Sequence, residues 1–188
     1  MKIHFAGKYS GKPEELPNQK QIPGAKPFRE LSPEKLSLVA NGISLVIVIL
    51  TFGLGYLRSG GFTFIRVSGL LAAVLSLIPH EFLHALCFKE DVFLYTYFEK
   101  GLLFVLGQED MTKGQFVFMS LFPNLVFGFV PFLIFLFFPS LSFLGSLGAL
   151  AISAGAGDYI NIYNALTQVP DRALIYMYRM STCWYMPT

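Results

Sequence analysis

Residues 80–84 read His-Glu-Phe-Leu-His. On a helix, side chains four apart share a face, so His80 and His84 can reach one metal ion. Glu81 lies between them and can take a proton from an attacking water. Zinc in such a site supplies Lewis acidity and lowers the pKa of a bound water toward about 7. The simpler alternative is a buried polar cluster of two histidines and a glutamate without metal. It is the weaker alternative, because three closely spaced ionisable groups in an apolar segment need more than mutual hydrogen bonds.

Catalytic zinc takes three protein ligands and keeps one position open. Positions 87 and 90 are Cys87 and Glu90, so the chain lacks the glycine and third histidine that would extend the motif locally. The one other histidine, His4, lies in a polar N-terminal stretch. Asp158 is the one acid embedded in a long apolar segment, and Gly155, Ala156 and Gly157 beside it would allow close helix approach. It is the candidate third ligand. Otherwise it is a helix-terminal charge or a counter-ion to Arg172. Cys87, one turn after His84, is a candidate fourth ligand or a small core residue. Asn124 could hold a substrate backbone or an oxyanion, or make an interhelical hydrogen bond. Asn161, one turn beyond Asp158, could orient that carboxylate or cap a helix end.

The elements that must position these groups are apolar and long. The chain has 188 residues, of which 54% are hydrophobic and only 14% charged, with a mean hydropathy of +0.55. A soluble domain has about 25% charged residues. The deficit implies a polytopic membrane protein. A net charge of +2 without a basic aromatic patch excludes nucleic acid as a partner. Residues 36–57 and 67–88 are candidate spans, the second carrying the His-Glu-His motif. Residues 114–157 contain no charged residue and are long enough for two spans. Pro139 and Ser140 divide that region into helices near 115–138 and 141–168. Between the second and third spans, residues 92–106 hold two β-rich runs around Glu99-Lys100-Gly101, which predicts a hairpin. Pro79 is expected to kink the second span just before the motif.

The fold class expected is therefore an all-α polytopic membrane protein with about four transmembrane helices and a short β-hairpin. Residues 1–35 read as a polar cytoplasmic tail, 36–171 as the transmembrane metalloprotease-like domain and 172–188 as a short C-terminal tail. The first 35 residues hold no apolar run of the kind a cleaved signal peptide needs. Twelve Lys/Arg fall on the tail, hairpin and C-terminal side and two on the other. That bias predicts cytoplasmic termini in a multi-pass cell-membrane protein. Cys87 and Cys183 are expected to be separate thiols.

Helical rise then sets depth. His80 and His84 lie about 20–26 Å along the second span from residue 67, and Asp158 about 26 Å along the fourth from residue 141. Both helices run the same way, so the three groups share one level toward the cytoplasm. Asn124 lies about 14 Å into the third span, near that level.

With these residues in place the chain resembles the site-2 protease family of intramembrane zinc metalloproteases. The resemblance rests on His-Glu-Phe-Leu-His at 80–84, Phe-Pro-Asn at 122–124 and Gly-Asp at 157–158. It is closer still to a group of small bacterial membrane proteins with a zincin peptidase domain of unknown function. It covers about residues 67–171. It implies His80, His84 and Asp158 as zinc ligands, Glu81 as the catalytic base, Asn124 as a substrate-handling residue, and the hairpin as an edge near the substrate cleft. The chain departs from that family in having Tyr159 after Asp158, Asn124 directly after Pro123, and no regulatory soluble module. The activity expected is zinc-dependent peptide-bond hydrolysis of a membrane-protein or peptide substrate in the lipid bilayer, with homo-oligomers compatible with the sequence. The alternative is a non-proteolytic zinc-binding membrane protein: a sensor, a scaffold or a small transporter.

Overall fold

A computed structural model of the chain describes residues 1–17, 21–97 and 102–187. The expected hairpin turn at Glu99-Lys100-Gly101 lies outside the described residues. The chain divides into two compact units: residues 1–29, 81–119 and 162–188 form the first, and residues 30–80 and 120–161 the second.

The second unit is helical. Helix α1 (Pro33–Ser59) starts with Pro at its first position, where no backbone N–H is needed, and ends at Gly60 in the left-handed conformation, φ 71°. It is followed by a short 3-10 turn (Phe62–Phe64), α2 (Val67–Leu75) and the start of α3 (Leu77–Leu86). The unit resumes at residue 120 in the later part of α4 (Lys113–Asn124) and continues through a π-helical turn (Leu125–Phe129) into α5 (Val130–Phe137). Then come α6 (Ser142–Ala154) and the first part, to residue 161, of α7 (Ala156–Gln168). Its core gathers Phe64, Phe132, Phe135, Ala149 and Ile152. Small residues make the packing close. A Cβ at Gly148 would lie 2.5 Å from the Phe132 backbone nitrogen and 2.7 Å from the Gly128 carbonyl oxygen, and neither can move aside. The fully buried Ser146 hydroxyl donates to the Phe64 carbonyl at 2.7 Å and accepts the Arg66 N–H at 2.7 Å. It thereby satisfies two backbone groups of the turn before α2.

Two continuous helices, Pro33–Ser59 and Lys113–Phe137, are long and apolar enough to cross a membrane. The count rises to four if each bent pair, α2 with α3 and α6 with α7, is one span. The two bends measure 44° and 51°.

The first unit corrects the all-α expectation, because it contains two sheets. In the first sheet, β1 (Ile3–Lys8) runs parallel to β3 (Val92–Tyr97), which pairs antiparallel with β4 (Leu102–Gly107). The hairpin expected within 92–106 is thus present, and the N-terminal stretch adds a third strand to it. Asp91 anchors that addition. It accepts from His4 Nε2 at 2.9 Å and from the Lys2 N–H at 2.7 Å, which together hold its carboxyl below the usual range. The second sheet runs in the order β2 (Lys26–Pro27), β7 (Ser181–Tyr185), β6 (Leu174–Tyr178), β5 (Met111–Thr112). Residues 172–188, expected as a tail, therefore supply a hairpin whose strands bury Ile175, Tyr176 and Cys183. These join Phe28, Ala85, Phe88, Val92, Phe116 and Val169 in burying apolar surface. Cys87 and Cys183 form no disulfide.

Candidate metal centre

The motif helix is shaped by a proline. Pro79 has no N–H and its ring crowds the carbonyl four residues back, that of Leu75. Helix α2 ends at Leu75, and the chain bends by 44° before α3 begins at Leu77. The kink expected at Pro79 is therefore present and falls one turn before the proline. Ser76 caps the break, its hydroxyl donating to the Ala73 carbonyl at 2.8 Å. Beyond the bend, α3 carries His80, Glu81 and His84. Their ligand atoms all lie within 4.8 Å of one another.

A second proline sets the state of His84. In a regular helix the N–H of residue 123 would bond the carbonyl of Met119. Pro123 has no N–H to give, and the helix passes into a π turn just beyond it. The Met119 carbonyl instead accepts from His84 Nδ1 at 2.9 Å. A carbonyl only accepts, so Nδ1 carries a proton and Nε2 is the nitrogen that the neutral ring would offer to a metal. This is the tautomer a metal-ligating histidine needs, with its second nitrogen held by a backbone carbonyl. Sequence reasoning missed the role of Pro123. The signal was its spacing of four from Met119.

Within the helical unit, His80 and Asp158 meet. His80 Nε2 lies 3.1 Å from Asp158 Oδ2, and the two side chains are 16% and 15% exposed. Two ligands at about 2.0–2.1 Å from a tetrahedral zinc stand about 3.3 Å apart. The observed separation thus matches a shared cation as well as it matches an ion pair. Asp158 comes from the first turn of α7, just past the bend at Gly155. Asn124 is 1% exposed and donates from Nδ2 to Asp158 Oδ2 at 2.7 Å. Asn161 is exposed on α7, and Cys87 Sγ contacts the carbonyl of Leu83 at 3.4 Å. Among the described residues, the group of metal-competent side chains is His80, Glu81 and His84; neither Cys87 nor Asp158 belongs to it. A separate cavity of about 540 Å³ is walled by Leu50, Thr51, Leu54, Phe132, Leu136 and Tyr159, among others. Its surface is almost wholly apolar and offers no metal ligand.

An HExxH sequence carried on a helix is the motif with which many zinc peptidases hold their metal. Residues 73–174 match the model of a family described as "putative zincin peptidase", which is more than half of the chain. The chain belongs to that family. No curated protein and no solved structure matches it. The matched region spans the HExxH motif, Pro123, Asn124 and Asp158.

The residues of this zincin-family chain fit zinc. His80 and His84 are imidazoles one turn apart on α3 with the Glu81 carboxylate beside them, side chains of the types that hold zinc, and the Met119 carbonyl accepts from His84 Nδ1. Pro123→Ala restores an N–H that competes for that carbonyl. It should weaken zinc binding about tenfold, the low end of what losing a supporting hydrogen bond costs. Competition against a zinc chelator measures the change.

Proposed function

We propose that this protein is an intramembrane zinc peptidase of the site-2-protease type, with His80, His84 and Asp158 holding the metal and Glu81 acting as general base. The observation that carries the reading is the 3.1 Å approach of His80 Nε2 to Asp158 Oδ2, with His80 on an HExxH helix whose second histidine gives its Nδ1 hydrogen to a backbone carbonyl. Bound zinc supplies Lewis acidity to the scissile carbonyl and to water. Glu81 accepts the proton of the attacking water and delivers it to the leaving amine nitrogen. The helices able to cross a membrane support a substrate that is itself a membrane protein or an apolar peptide. The Lys/Arg bias supports cytoplasmic termini, with water reaching the site from that side.

The test uses the full chain in lipid nanodiscs. Metal analysis should find one zinc ion per chain. A panel of fluorescently labelled single-span peptides should include members that are cut, with cutting stopped by 1,10-phenanthroline and restored by added zinc. Absence of zinc overturns the proposal. Zinc without cleavage of any peptide favours a non-proteolytic zinc protein.

A further inference from the structure

Asn124 is among the largest fully buried polar side chains of the molecule. A buried amide must have its donors and acceptor met, and here each partner can be named. Nδ2 gives one hydrogen to the Ser120 carbonyl, 3.3 Å away and one helical turn back. It gives the other to Asp158 Oδ2 at 2.7 Å. Oδ1 faces the Tyr159 hydroxyl at 3.4 Å, whose single hydrogen is shared with the closer Ile152 carbonyl at 2.8 Å. These contacts fix which way round the amide lies. Oδ1 directed at Asp158 would set two acceptors 2.7 Å apart.

The fit is steric as well as polar. A Cβ at Gly155 would lie 1.8 Å from Asn124 Oδ1 and 2.6 Å from its Cγ. Any residue other than glycine at 155 displaces the amide. Asn124 and Gly155 thus fit together as side chain and notch at the bend that opens α7, three residues before Asp158.

We infer that Asn124 is a positioning residue for the metal site. Seated against Gly155 and oriented by Ser120 and Tyr159, its amide aims the Asp158 carboxylate at the ion. The inference rests on the zinc site proposed above, and it gives Asn124 a role other than holding substrate. A carboxylate ligand turns about its Cβ–Cγ bond. A buried amide on one oxygen removes that freedom and keeps the ligand set ready for the ion.

The experiment compares wild type with Asn124→Leu, Tyr159→Phe and Gly155→Ala, all in nanodiscs. Zinc affinity is read by chelator competition, ligand geometry by the visible absorption of the cobalt-substituted protein, and folding by thermal unfolding of the metal-free protein. Asn124→Leu should weaken zinc binding about 10–100-fold and shift the cobalt bands. Gly155→Ala should do the same by displacing the amide. Tyr159→Phe should have the same direction and a smaller size, with unfolding of the metal-free form close to wild type. If Asn124→Leu does not fold, the other two variants carry the test. Zinc affinity within twofold of wild type and unchanged cobalt bands, in the variants that fold, overturn the positioning role while leaving the zinc site standing. If Asn124→Leu raises only the KM for a cut peptide, the residue handles substrate and the inference fails. A wild-type protein that binds no zinc overturns both.

Discussion

Glu81→Gln should leave zinc bound at one ion per chain and reduce peptide cleavage by about 10²–10⁴-fold, the contribution of a positioned general base. The substitution keeps the volume and the hydrogen-bonding reach of the side chain and removes its capacity to take a proton. Glu81 lies between His80 and His84 on α3, with its carboxylate within 4.8 Å of both histidine ligand atoms, a distance suited to reaching a water beside the ion. The loss should appear in kcat with KM little changed, because the base acts in the chemical step. Zinc analysis and cleavage of the same peptide, measured on the same preparation, separate the outcomes. Cleavage by Glu81→Gln at wild-type rate removes Glu81 from the mechanism. Loss of zinc would mean that the carboxylate is a ligand, and the roles of Glu81 and Asp158 would have to be reconsidered.

The parts of the fold legible in the sequence are those set by local pattern. The first span, expected at 36–57, is α1 at Pro33–Ser59, and those expected near 115–138 and 141–168 are helical over Lys113–Phe137 and, with a bend, Ser142–Gln168. Uncharged length decides such elements, and it is visible residue by residue. The hairpin was legible for a similar reason, since β3 and β4 are neighbours along the chain. What was not legible depends on distant pairing. β1 joins β3 across almost ninety residues, and nothing in the polar N-terminal stretch announces a parallel partner so far away. Strands of two residues, such as β2 and β5, have too few positions for alternation to show. The site divides in the same way. The HExxH spacing is local, and helical rise counted from the span ends under a four-span topology put His80, His84 and Asp158 at one level; the structure has His80 Nε2 3.1 Å from Asp158 Oδ2. The partner of His84 escaped because it is an absence, the missing N–H at Pro123, whereas the close approach at Gly155 was legible and only the Asn124 amide that fills it was not.

Removing a ligand should have the largest effect on the metal itself. Asp158→Asn and His80→Ala are each expected to purify without stoichiometric zinc, with affinity lost well beyond the about 10–100-fold cost of a supporting group. Asparagine is the more informative replacement at 158. Its amide oxygen still accepts from Asn124 Nδ2, so that buried donor keeps a partner. Alanine would strand it at a cost of about 1–3 kcal/mol and mix folding with binding. The readout is the gain in thermal stability on adding zinc. A site filled at about 100 times its dissociation constant stabilises the wild type by about 2.7 kcal/mol, and a variant that no longer binds gains close to nothing. If Asp158 were a helix-terminal charge paired with His80, Asp158→Asn would lose the pair and keep the zinc-dependent gain. A carboxylate that shares a cation with His80 would not behave that way, because its loss leaves the ion to the two imidazoles and Glu81, the group kept for the attacking water.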